Sequence, residues 1–212
     1  MLVREIMTRP AVAIGPDEPI GDVTALMAQR DVRHFPVLDD GRLIGIVSDR
    51  DLRTVGADHP AARPGVGRTD PVRALMTRQV WTAHPLDPVD EAATLLRRHA
   101  IGALPVLDDG ELVGIVSAHD LLDALVSMTG ADRGSSRMEV ELLDRPGALA
   151  GLLDRIASRG AHVASVLTRR SEPEATVFVL RVGTMDARGL AQALRASGYE
   201  VGWPPAPEAD GT

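Results

Sequence analysis

Apolar and polar positions along the chain follow two periods, and they do so in a fixed order. Between Pro16 and Asp31 the apolar residues Ile20, Val23, Leu26 and Met27 fall on one face of a predicted helix with an acidic first turn. Val37-Leu38, then Asp39-Asp40-Gly41, then Leu43 to Val47 predict strand, tight turn and strand, because Asp-Gly accepts the positive φ of a short hairpin. Ser48 ends the second strand and opens another helix. A short strand near Ala11–Ile14 precedes the first helix, so the predicted order is β-α-β-β-α.

The same order then returns. Aligning residue n with n + 69 places Val3 to Gly56 on Val72 to Leu125 without a gap, and 21 of the 54 aligned positions are identical. "PVLDDGRLIGIVSDRDL" from Pro36 comes back as "PVLDDGELVGIVSAHDL" from Pro105, and "MTR" recurs at Met7 and Met76. The second copy has its short strand near Val80–Ala83 and its helix face at Val89, Ala92, Leu95 and Leu96. Solenoid repeats are shorter and come in threes or more. Two copies of this length predict a duplicated small domain forming a pseudo-twofold pair.

After "SAHDLLDALVSM", a helix reaching about Met128, "TGADRGSS" has linker composition. A new pattern follows. Met138, Val140 and Leu142 alternate with Arg137, Glu139 and Glu141 in a half-buried strand. Leu149, Leu152, Leu153 and Ile156 share a helix face, with Pro146 near its first position and Gly160 at its stop. "AHVASVLTRR" and "ATVFVLRVG" read as two strands, "DARGLAQALRASG" as a helix and "YEVGW" as a last strand. The order is β-α-β-β-α-β, a ferredoxin-like arrangement. The predicted boundaries are 1–58 and 70–128 for the copies, 129–136 for a linker, 137–203 for the last domain and 204–212 for a disordered tail.

Composition narrows the chemistry. With two Phe, one Tyr and two Trp in 212 residues, the cores must be aliphatic. No cysteine is present, which removes disulfides, thiolate catalysis and Cys-ligated metals. All 23 basic residues are Arg, so Schiff-base and P-loop lysines are excluded too. The net charge of −7 argues against a general nucleic-acid binder. No apolar run reaches membrane-span length, and no signal pattern opens the chain, so a cytoplasmic protein is expected. The histidines at 34, 59, 84, 99, 119 and 162 show no zinc spacing, and Ser48 and Ser117 lack a nucleophile elbow. No enzyme is expected.

Gly45-Ile-Val-Ser48-x-x-Asp51 and Gly114-Ile-Val-Ser117-x-x-Asp120 carry the sharper signal. Ser at an N-cap with an acid three residues on is a common capping box. The same geometry leaves amides and a hydroxyl for a phosphate, and a carboxylate for two ribose hydroxyls. The glycine before each Ser would let a flat base approach the backbone. Cap and ligand are compatible, and both stay open here.

"MTRPAVAI", "HFPVLDDGRLIGIVSDRDL" and their second copies resemble a CBS-domain pair, or Bateman module, over residues 1–127. That resemblance implies adenine nucleotides (AMP, ADP, ATP) or S-adenosylmethionine bound as regulatory ligands in two clefts, with magnesium an allowed companion. Carried over, Ser48, Arg50 and Asp51 would hold phosphate and ribose in one cleft, and Ser117, His119 and Asp120 in the other. Arg9, Val12, His34, Phe35 and Pro36 would line the first base pocket, and Arg78, Val80, Trp81, Ala103, Leu104 and Pro105 the second. Arg50, Arg9 and Arg33 give copy one more positive charge than His119, Arg78 and Gly102 give copy two. Copy one is therefore expected to prefer more highly charged nucleotides.

"VELLDRPGALAGLL" with its element order resembles an ACT domain over 137–203. ACT domains pair through their sheets and often bind amino acids. The residues implied here are Asp144, Arg145, Gly147, Ala148 and Leu149, although Arg-Pro-Gly is equally a tight strand-to-helix turn. The domain order is similar to that of bacterial acetoin-utilisation accessory proteins. The expectation is a mixed α+β, non-catalytic, allosteric ligand sensor, homodimeric through the ACT domain, acting on an unknown protein partner. The alternative is a constitutive dimerisation scaffold with empty clefts.

Overall fold

The computed structural model describes residues 1–55, 65–132, 134–172 and 175–206. The expected end of copy one at 56–58, His59, and positions 207–212 of the expected disordered tail lie outside the described residues. The chain divides into two compact units, Met1–Leu122 and Asp123–Thr212.

In the first unit, copy one comprises α1 (Ile20–Arg30), β1 (His34–Asp39), β2 (Arg42–Ser48) and α2 (Asp49–Arg53). Copy two repeats these as α3 (Val89–His99), β3 (Ala103–Asp108), β4 (Glu111–Ser117) and α4 (Ala118–Thr129), the last running on past the unit boundary. Each hairpin turns through two successive positive-φ residues, Asp40 and Gly41 at 46° and 78°, Asp109 and Gly110 at 49° and 85°. That is the turn whose twist matches a hairpin. The strands expected at Ala11–Ile14 and Val80–Ala83 shrink to single parallel bridges, Ile14 to Val37 and Ala83 to Val106. The proline-rich stretches that follow supply too few amides for a longer ladder.

One arrangement was not foreseen: the segment that opens each copy belongs to the other copy. The 3-10 turn Val3–Glu5 donates from the Val3 and Arg4 amides to the Asp87 and Pro85 carbonyls, and Val3 is fully buried with Ala83, Ala92, Leu96 and Leu104. The turn Val72–Ala74 mirrors it. Val72 and Arg73 donate to the Glu18 and Pro16 carbonyls, and Val72, Leu75 and Met76 complete the copy-one core around Ile20, Val23, Phe35 and Val37. Each buried valine contributes about 2 kcal/mol. The exchange therefore ties the two copies into one unit.

The crossing continues into the sheets. The Thr8 and Ile115 backbones exchange hydrogen bonds at 2.9 and 3.1 Å, and Thr77 and Ile46 at 2.9 and 3.0 Å. This decides the role of the motif glycines. A Cβ on Gly45 would lie 2.6 Å from the Met76 Sδ and 3.2 Å from the Thr77 carbonyl oxygen. On Gly114 it would lie 2.7 Å from the Met7 Sδ and 3.1 Å from the Thr8 carbonyl oxygen. The space expected for a base is filled by the partner copy's Met-Thr segment.

The second unit has β5 (Ser136–Leu143), α5 (Ala148–Ala157), β6 (His162–Glu172), β7 (Ala175–Gly183), α6 (Ala187–Ala196) and β8 (Glu200–Trp203). The strands form one antiparallel sheet in the order β6-β7-β5-β8, the expected ferredoxin-like topology. Met138 and Val140 of β5 are fully buried against Leu152 and Ile156 of α5 and Leu194 of α6, as the alternation predicts. The α5 helix starts two residues later than Pro146 would suggest. Gly147, at φ 83°, is its N-cap, and Pro146 lies outside the helix.

Candidate functional site

Both Ser-x-x-Asp sequences form complete capping boxes. The Ser48 hydroxyl and amide donate to Asp51 Oδ2 at 2.6 and 2.8 Å, and the Asp51 amide donates back to Ser48 Oγ at 3.3 Å. For Ser117 and Asp120 the same three distances are 2.7, 2.7 and 3.3 Å. All four residues are half-buried. The cap uses one oxygen of each aspartate, and among the described residues the other, Oδ1, meets no hydrogen-bond donor, so it can accept from a ligand. The copies differ in the helix behind the cap. The α2 helix has five residues and α4 has twelve, and Arg50 on α2 is exposed.

Strand register brings several expected residues together. His34 pairs with Ser48 and Ala103 with Ser117 across their hairpins. The parallel bridge from Ile14 to Val37 runs the segment before it, including Val12, back along the start of β1. Val80 and Trp81 run beside the start of β3 in the same way. Phe35, Pro36, Leu104 and Pro105 are buried, and Phe35 and Leu104 belong to the two cores. These two side chains fix the strands. Arg9 and Arg78 are exposed. Trp81 occupies the place that Val12 holds in copy one. It is 41% exposed and stacks on His99, ring centroids 3.9 Å apart and planes 20° from parallel.

His34 is the one titratable group here with a distinct electrostatic signature. Burial lowers its pKa. The Asp49 and Asp51 carboxylates pull it upward, and the Arg33 and Arg50 guanidiniums push it down. The net direction is downward from 6.5. Its ring presses on copy two, where a Cβ on Gly102 would lie 2.7 Å from both Cε1 and Nε2. Sequence reasoning had placed His34 at the site but gave no sign of this contact.

In the second unit an open concavity of about 530 Å³ lies where β5 meets α5, lined by Glu141, Leu143, Arg145, Gly147, Tyr199 and Glu200 among others. Of the residues expected to contact an amino acid, Arg145, Gly147 and Ala148 line it, and Asp144 and Leu149 do not. No side chain caps the start of α5. Glu141 and Glu200 stand directly opposite across β5 and β8. Sequence reasoning missed both glutamates and Tyr199: Glu141 sits just before the loop, but Tyr199 and Glu200 reach it from more than fifty residues on, through strand pairing.

The paired hairpins with exchanged openings and twin capping boxes are the architecture of the CBS-domain family, to which this chain belongs: the CBS domain signature matches residues 3–58 and 72–127. The pair is followed by a TTHA0829-like ACT domain over residues 134–202. The chain is similar to the CBS domain-containing protein YhcV of Bacillus subtilis, 32% identical over 63% of this chain and 91% of that protein. Among solved structures it resembles the CBS pair of protein MJ0100 in complex with 5′-methylthioadenosine and S-adenosyl-L-methionine. The identity is 27%, the TM-score 0.53, and the match covers 60% of this chain and 97% of that one. It also resembles an acetoin-utilisation protein (AcuB) from Vibrio cholerae, 28% identical with TM-score 0.53, over 64% of this chain and 98% of that one. Among the described residues no helix is long and apolar enough to cross a membrane.

Proposed function

We propose that the CBS pair is a non-catalytic sensor binding adenosine-bearing ligands in two clefts, one at Ser48 and Asp51 and one at Ser117 and Asp120. One observation carries this: two capping boxes of matching geometry, each with a carboxylate oxygen left over. The spare oxygen accepts from a ribose hydroxyl, and Ser48 with Arg50 holds the phosphate in copy one. The methylthioadenosine and S-adenosylmethionine bound by the CBS pair of MJ0100 share the adenosine group with AMP and ATP. Ligand binding would shift the chain between arrangements in proportion to its differential affinity for them.

The second unit serves assembly. Its long edge strand β6 is exposed along Val166 and Leu167, and pairing with a second copy would cover it. The concavity at Arg145 and Gly147 suits an amino acid, with its carboxylate at the start of α5 and its ammonium between Glu141 and Glu200.

Calorimetry with AMP, ATP, methylthioadenosine and S-adenosylmethionine tests the sensor. The expected result is micromolar binding that Asp51→Ala and Asp120→Ala each reduce in part and jointly abolish. Absent binding of all four would leave the constitutive scaffold. Light scattering that reports a monomer at micromolar concentration would remove the assembly role.

A further inference from the structure

The His34 ring reaches across the seam between the two copies. His34 packs on Gly102, the residue that replaces Arg33 of copy one, and where copy one has His34, copy two has the buried Ala103. A β-carbon at 102 would lie 2.7 Å from the ring, so Gly102 lets His34 lie in this position without shifting. Opposite His34 in the hairpin stands Ser48. The charged groups that act on the ring are Arg33 beside it and Asp49, Arg50 and Asp51 on α2, two of each sign; the copy-two segment packed on it presents a glycine.

We propose that His34 is the specificity-determining residue of the copy-one cleft, which it biases toward phosphorylated adenosine ligands, and that copy two lacks this bias. The inference rests on the copy-one cleft proposed above. The physical reason is charge balance. The two aspartates act on the ring more strongly than the two arginines, but burial, the largest influence, outweighs them and opposes its ionisation. A phosphate at Ser48 and Arg50 adds negative charge and makes the imidazolium favourable, so ligand and proton bind together. Methylthioadenosine brings no phosphate and no such gain. In copy two the buried methyl of Ala103 can do neither.

The test uses the full chain carrying Ser117→Ala and Asp120→Ala, so that copy one is the cleft measured. AMP and methylthioadenosine are titrated calorimetrically at pH 5.5 and pH 8, with His34 intact and with His34→Gln. The AMP phosphate itself titrates in this range, but equally for both proteins, so their affinity ratio isolates His34. That ratio should favour the His34 protein about tenfold more at pH 5.5 than at pH 8, as one unit of pKa change requires. For methylthioadenosine it should not change with pH. A ratio for AMP that is equal at both pH values overturns the inference and leaves the cleft intact. Failure of both ligands to bind at either pH overturns the cleft and the inference together. An independent readout needs no His34 variant: the His34 ring resonances, followed by NMR, should titrate at higher pH with AMP bound than without. An unchanged titration overturns the inference.

Discussion

At Ser48 and at Ser117 the hydroxyl reaches its aspartate at 2.6 and 2.7 Å, and each motif glycine admits the other copy's Met-Thr segment at nearly the same distance. Around these matched points the side chains diverge. Copy one carries His34, Arg33, Arg50 and Val12 where copy two carries Ala103, Gly102, His119 and Trp81. Duplication kept the capping residues and the motif glycines and changed the side chains around them. Under the proposed function, equal architecture with unequal side-chain chemistry would let the two clefts read different members of one ligand class.

The cores should respond almost identically, and this is the largest expected effect. Phe35→Ala should cost about 4 kcal/mol and Leu104→Ala about 3 kcal/mol, since both side chains are at most 1% exposed. Denaturant unfolding checks both. A cost below about 1 kcal/mol at either position would break the equivalence of the copies.

The glycines come next. Gly45→Ala and Gly114→Ala should each lower stability by about 2 kcal/mol, because the added methyl meets a methionine sulfur and a threonine carbonyl. Thermal melts should show similar losses for the two. A neutral Gly45→Ala variant would mean that the Met76–Thr77 segment gives way easily.

Removing a cap is a smaller perturbation. Ser48→Ala and Ser117→Ala should each cost about 1 kcal/mol of stability. Each should weaken adenosine-ligand binding in its own cleft alone. Losses of equal size in both clefts from one substitution would show that the clefts are coupled.

The smallest effect separates the copies by pH. The folded-state pKa of His34 is lowered, so the unfolded chain binds its proton first. Stability from this residue is therefore full above about 6.5 and falls as pH drops from there toward the lower folded value. His34→Gln should flatten the decline between pH 6.5 and 5.5 in denaturant midpoints. An unchanged slope would place the acid sensitivity elsewhere.

Much of this was legible in the chain itself. Both hairpins, both long helices of the pair and the ferredoxin-like order follow from local period and turn chemistry, and a repeat at fixed spacing revealed the duplication. The capping boxes were legible because Ser and Asp three residues apart act within one turn. The short strands expected at Ala11–Ile14 and Val80–Ala83 are single bridges, since a run with strand propensity says nothing about how many partner groups lie alongside.

The sequence alone determined what local chemistry determines: where elements begin, which face of each is apolar, and that the plan occurs twice. Tertiary structure decided which copy each opening segment completes, why Gly45 and Gly114 must be glycine, that His34 lies on Gly102, and that Glu141 meets Glu200. These are contacts between groups from about 30 to more than 100 residues apart, and periodicity cannot report them, because it records the direction a side chain faces and not the surface that arrives to meet it.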